Sequence, residues 1–139
     1  CVLFVCTENV GRSQMAAALL LLRFGPLIQA DSAGVRPGEE VSYMAAAVID
    51  EFGGDISKWR PKGLDWFVEN ETPPFDLVIS LTPEAQHRSV ELARGRAAEI
   101  EYWPTQDPTL TEGSREARLA AYREVRDALA RRIVQRFGR

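Results

Sequence analysis

The chain has 139 residues, 45% of them hydrophobic, which suffices for one domain with a true core and no disulfide staples. Its 17 basic and 20 acidic residues leave a net charge of −3, a balance that supplies no strong field for nucleic acid or an anionic membrane. The only two cysteines, Cys1 and Cys6, fall in one apolar stretch too far apart to bridge; with no apolar run of membrane-spanning length and no leader pattern, the expected setting is the reducing cytoplasm.

Taken in order, Cys1 to Val5 is continuously apolar, as a strand buried on both faces of a parallel sheet should be, and it is assigned as the first, central strand. A polar loop opens at Cys6. From Arg12 the run RSQMAAALLLLRF is strong helix-forming sequence, stopped by Gly25-Pro26. Leu27 to Ala30 is expected to be a short second strand, and Val35 to Glu40, with Pro37-Gly38, a loop. Ser42 is placed as the N-cap of a helix reaching Phe52 and closed by Gly53-Gly54. Trp59, Trp66 and Phe67 are expected to cover the core.

Pro73-Pro74 separates a loop from the third strand, Phe75 to Leu81. Thr82-Pro83-Glu84 is an N-cap with proline at the first helical position, starting a helix to about Ala93. Ile100 to Trp103 makes a fourth strand, Pro104 to Gly113 a loop, and Ser114 onward a helix with Leu119, Tyr122, Val125, Leu129, Ile133 and Phe137 on one stripe. The alternation implies a single α/β domain over 1–139, with a four-stranded parallel sheet covered by helices on both faces. Ligands bind such sheets beyond the carboxyl ends of the strands. Cys6, Ser32, Leu81 and Trp103 to Asp107 should therefore converge.

The loop between the first strand and first helix is an anion site by construction. Helix-terminal amides and the macrodipole supply partial positive charge, Arg12 adds a planar fork of donors, and Cys6 stands where a thiol is most easily held as thiolate. Arg12 in a first helical turn opposes the dipole, which argues for a compensating anion. Asn9 is suited to a positive φ and to bonding neighbouring backbone, keeping the loop amides aimed inward.

Cys6, five residues, then Arg12-Ser13, with VLFV before and QMA after, resembles the active loop of the low-molecular-weight protein tyrosine phosphatases and of the arsenate reductases that share their fold. Asp31-Ser32-Ala33-Gly34 resembles that family's second strand-end turn, and GGDISKWRPKGL its connection after the second helix. The resemblance implies strand order 2-1-3-4 and hydrolysis of a phosphotyrosine-type phosphomonoester, on a protein or a small molecule, through a phosphocysteine. It implies Cys6 as nucleophile and Arg12 as clamp on the phosphoryl oxygens. Backbone amides of Thr7, Glu8, Asn9, Val10, Gly11, Arg12 and Ser13 form the cradle, and the Ser13 hydroxyl steadies the thiolate. Asp107, in Asp107-Pro108 after the last strand, matches the family's general acid and base. No metal, cofactor or obligate partner is expected; the lone His87 is read as solvated or helix-packed.

Two loop positions depart from the family. Glu8 replaces a glycine, and a carboxylate about 8 Å from a bound dianion opposes each charge by roughly 2 kcal/mol at an effective dielectric of 20, so its side chain is expected to point outward. Gly11 replaces a frequent second cysteine, and Thr109-Leu110 stands where aromatics often follow Asp-Pro. Two alternatives stay open: an arsenate reductase using an external small thiol, since no cysteine follows Cys6, and a non-catalytic oxyanion binder.

Overall fold

Strand β1 (Val2–Cys6) is buried at every position, and in the computed structural model, which describes residues 1–69, 75–94 and 97–138, its alternating side chains feed two separate cores. Val2, Phe4 and Cys6 pack with Met15, Leu20, Ile49 and Ile133, whereas Leu3 and Val5 pack with Leu64, Phe67 and Ala85. Helices α1 (Arg12–Phe24), α2 (Tyr43–Asp50) and α5 (Arg115–Phe137) accordingly cover one face. Helices α3 (Leu64–Glu69) and α4 (Pro83–Ala93) cover the other.

β1 pairs in parallel with β2 (Ala30–Gly34) and β3 (Leu77–Ser80), and β3 with β4 (Glu99–Tyr102), in the order β2-β1-β3-β4. This is the expected single α/β architecture. Ser42, Thr82 and Ser114 cap their helices as expected, each accepting from the amide three residues on.

The second strand lies later than expected. Leu27 and Ile28 bond back to Phe24 O, and Leu27 is 86% exposed. The ladder is instead made by Ala30–Gly34: of the expected strand only Ala30 takes part, and Asp31 to Gly34, expected as a strand-end turn, is strand, so Ser32 sits inside β2, opposite Phe4, not after its end. Glycine is required at the end of β2 because the loop after β1 lies against it. A Cβ on Gly34 would meet Asn9 N and Glu8 C, both at 2.8 Å. Gly34→Ala is therefore expected to cost about 1–3 kcal/mol in denaturant unfolding, through forced backbone displacement.

Helix α3 went unrecognised inside the 55–69 connection, being only six residues long. Of the aromatics assigned to core cover, Phe67 is buried and Trp59 half-buried, but Trp66 is 45% exposed and meets Phe67 edge-on, centroid to centroid 5.0 Å. α2 ends at Asp50, two residues short of the expected Phe52. Pro73-Pro74 lies outside the described residues.

α5 is tied to the end of α2 by Arg126, which lies 3.9 Å from the Phe52 ring centroid and donates to Val48 O at 2.9 Å and Glu51 Oε1 at 2.6 Å. Hydrogen bonds from Arg123 first and Arg126 second hold the Glu51 carboxyl down from its ordinary 4.5 to about 2. A depressed carboxyl stabilises the fold above its ordinary value and loses that contribution as pH falls through the lowered one. Glu51→Gln is expected to lower Tm at pH 7, with the gap to the wild type closing between pH 4.5 and 2.

Candidate active site

At the end of β1 the chain turns through Thr7–Gly11 into α1, whose N-cap is Gly11 with no side-chain cap. Six successive carbonyls turn outward. Cys6 O accepts from Val35 N (3.1 Å), Thr7 O from Arg36 N (2.8 Å), Glu8 O from Gly38 N (2.9 Å), Val10 O from Ser42 N (2.7 Å) and Gly11 O from Met15 N (2.9 Å). Asn9 O accepts from the side chain of Gln14, at 2.8 Å. Alternation of this kind drives the amides the opposite way. Among the described residues, those of Thr7, Glu8, Val10, Gly11, Arg12 and Ser13 meet no protein acceptor. The loop is thus a ring of free donors at a helix N-terminus, the arrangement that binds a tetrahedral oxyanion.

Asn9 is the keystone of this ring. Its φ of 57° is the only positive value at a non-glycine among the described residues, and it is fully buried. Asn9 N donates to Cys6 Sγ at 3.2 Å and Asn9 Nδ2 to Ser13 Oγ at 2.7 Å, while Asn9 Oδ1 accepts from Lys62 N at 2.8 Å. Ser13 Oγ is 2.9 Å from Cys6 Sγ. Since Ser13 Oγ already accepts from Asn9, its proton is free to point at sulfur. With sulfur as thiolate, the relay runs from amide to hydroxyl to sulfur.

Across the mouth stand Arg12 and Asp107. Arg12 Nη1 donates to Thr105 O at 3.0 Å, and its Nη2 lies 3.9 Å from Asp107 Oδ2. Asp107 Oδ1 accepts from both Thr109 N (2.9 Å) and Thr109 Oγ1 (2.6 Å), capping a single 3-10 turn at Pro108–Leu110. Burial opposes ionisation of Asp107, but the two Thr109 hydrogen bonds and the Arg12 charge outweigh it, leaving the carboxyl below the ordinary range. With Oδ1 occupied, Oδ2 is the oxygen free to carry a proton.

Every residue singled out in the sequence, Cys6 through Ser13 and Asp107, is brought to this one end of the sheet by β1, α1 and the segment after β4. Glu8 is exposed, and its Oε2 lies 3.7 Å from where a Cβ on Gly38 would stand, so it leans on the 35–40 loop. At Gly11 a Cβ would meet only Tyr122 Cε2, at 4.0 Å, so packing does not demand glycine. His87 is exposed on α4, 3.1 Å from Glu91.

Several supports were not foreseen. Thr7 Oγ1 donates to Thr82 Oγ1 at 3.2 Å, fixing the loop to the start of α4. Thr105 O holds Arg12, Thr109 holds Asp107, and Lys62 N holds Asn9. Most act through main-chain atoms.

This fold and loop define a class. The sequence matches the family described as "Low molecular weight phosphotyrosine protein phosphatase" over residues 1–137. The chain belongs to that family and is a hydrolase of its cysteine-dependent type. It is 32% identical over 130 residues to an arsenate reductase of Halalkalibacterium halodurans, covering 94% of this chain and 89% of that one. It is 34% identical over 100 residues to the protein-arginine-phosphatase of Geobacillus stearothermophilus, covering 66% of this chain and 68% of that one. Among solved structures, the low molecular weight protein tyrosine phosphatase from T. tengcongensis superposes with a TM-score of 0.76 at 28% identity, over 95% of this chain and 93% of the other.

Proposed function

We propose that this chain hydrolyses phosphomonoesters, on a phosphorylated protein or a small molecule, in two steps through a phosphocysteine at Cys6. In the first, Cys6 Sγ attacks phosphorus in line while the free amides of Thr7, Glu8, Val10, Gly11, Arg12 and Ser13 and the Arg12 guanidinium take the charge on the equatorial oxygens. The Asn9 amide, expected in the cradle, is held by the sulfur and not by the oxyanion. Asp107 Oδ2 gives its proton to the departing oxygen. In the second step the Asp107 carboxylate takes a proton from water, water oxygen bonds to phosphorus, the S–P bond breaks and phosphate leaves.

One observation supports this reading above all. Six free amides lie in the loop that Cys6 opens, whose sulfur accepts from Asn9 N and has the Ser13 hydroxyl at 2.9 Å, placed to donate to a thiolate. Asp107 is ionised before substrate binds; an incoming phosphate dianion beside it raises its affinity for a proton, so charging the acid is coupled to binding. A catalytic thiol fits the reducing cytoplasm, which we take as the setting. Among the described residues no helix is long and apolar enough to cross a membrane.

Arsenate reduction by an external small thiol is the second reading, favoured by the arsenate reductase that aligns over 94% of the chain. Within these 139 residues no cysteine lies beyond Cys6 to resolve a Cys6 adduct through an internal disulfide, so this reading takes its thiol from outside. The two separate in one comparison: steady-state kcat/KM on phosphotyrosine peptides, against arsenite formation with added glutathione. We expect turnover of the phosphoester without thiol, and arsenite formation no faster than the glutathione background. Arsenite formation with negligible phosphoester turnover would reverse the assignment.

A further inference from the structure

On the carbonyl side of the phosphate loop, between α1, β2 and the 59–62 segment, lies a cleft of about 290 Å³, at the lower edge of the size range of small-molecule sites. Its chemistry is unbalanced in three ways. First, Gln14 is 1% exposed, and its Oε1 has no donor among the described residues. The amide cannot turn round to correct this, because Nε2 is committed to Asn9 O at 2.8 Å. A buried acceptor without a donor is costly, and a ligand N–H relieves it.

Second, Arg60 is exposed and has no carboxylate partner among the described residues, whereas Lys62 Nζ and Asp31 Oδ1 beside it satisfy each other at 2.7 Å. One positive charge is therefore left at the mouth. Third, the half-buried Trp59 faces Ala17 and Leu21 across the same cleft, a pair of apolar walls suited to a flat ring. Ser32, 3% exposed, also lines it.

The cleft is wired to the thiol. Gln14 Nε2 and Lys62 N hold Asn9, and Asn9 reaches Cys6 Sγ directly and through Ser13. An occupant that engages Gln14 and shifts the 59–62 segment acts on the one residue held at positive φ in the loop.

We infer that this cleft is a second binding site, taking a flat organic anion with one N–H donor, and that its occupant alters the reactivity of Cys6. The donor meets Gln14 Oε1, the ring lies along Trp59 and the anion pairs with Arg60.

The test is isothermal titration of the whole protein with indole-3-acetate, benzofuran-3-acetate (the same shape without the N–H) and tryptamine (the same ring with a cation). Indole-3-acetate is expected to bind once, and each of the others about tenfold more weakly, the factor expected for one hydrogen bond or one ion pair. Arg60→Ala is expected to weaken the binding of indole-3-acetate about tenfold while turning over p-nitrophenyl phosphate at the wild-type rate. At saturation the rate of Cys6 alkylation by iodoacetamide, read on the Cys6 peptide, should change at least about twofold; this readout does not depend on the reaction assigned to the protein. Equal binding of the three probes, undiminished binding in Arg60→Ala, displacement by inorganic phosphate through direct competition, or unchanged alkylation would each overturn the proposal.

Discussion

Cys6→Ser is expected to reduce phosphate release by at least about 10⁴-fold while leaving affinity for inorganic phosphate equal or tighter. The substitution is nearly isosteric, and a serine hydroxyl in place of the thiol keeps Ser13 Oγ and Asn9 N as partners, so the fold survives. What disappears is the nucleophile and, in the second step, the leaving group. The amides and Arg12 are untouched, so the oxyanion still binds. The smaller hydroxyl also leaves more room for the phosphate oxygens beside the ring of amides, which is why binding at least as tight is expected. Turnover is measured with p-nitrophenyl phosphate and affinity by calorimetry. Loss of both together would mean that the loop had collapsed.

The second large effect concerns Asp107, and it depends on the leaving group. For phenyl phosphate, whose phenolate is a poor leaving group, Asp107→Ala is expected to slow the first step by about 10²–10⁴-fold, the span of general acid catalysis. For p-nitrophenyl phosphate the departing phenolate needs little protonation, so the first step survives and the loss moves to hydrolysis of the intermediate. The signature is a burst of p-nitrophenol followed by a slow steady state. Thr109→Val, which removes one hydrogen bond to Oδ1, should move the same way far more weakly and raise the apparent pKa of the basic limb, because that bond favours the carboxylate. A uniform loss on both substrates would assign Asp107 a role in shaping the Arg12 side chain alone.

The site was legible where its chemistry is contiguous. Cys6, Asn9, Arg12 and Ser13 occupy one loop between an apolar strand and an uninterrupted helical run, so spacing alone brought them together. Asp107 was singled out by the resemblance of Asp107-Pro108, placed between the last strand and last helix, to the family's aspartate–proline loop. The scaffold that aims the loop was not, for a physical reason. Val35, Arg36, Gly38, Ser42 and Lys62 hold it with main-chain N–H groups, which every residue but proline carries and which leave no mark in composition. The misplaced second strand has a related cause. Leu27-Ile28 carries the apolar signal, but Ala30–Gly34 forms the ladder, and close approach of Asn9 and Glu8 requires glycine at its last position, Gly34. Helix α3 was hidden by its length, too short for a hydrophobic period to register.

Glu8 sharpens the picture of the rim. Its carboxylate leans on the 35–40 loop, where Arg36 is bonded to Glu84. The departure from glycine therefore adds negative charge outside the ring of amides, and those amides remain free.

The central claim is a covalent bond between Cys6 sulfur and phosphorus. It is tested most directly by acid-quenching Asp107→Ala during the slow phase with p-nitrophenyl phosphate and mapping phosphorylation by peptide mass spectrometry. A near-stoichiometric phosphoryl group on the Cys6 peptide, absent from the Cys6→Ser, Asp107→Ala double variant, is the expected result. A burst without any phosphoryl group on Cys6, or with the phosphoryl group on another residue, would contradict it.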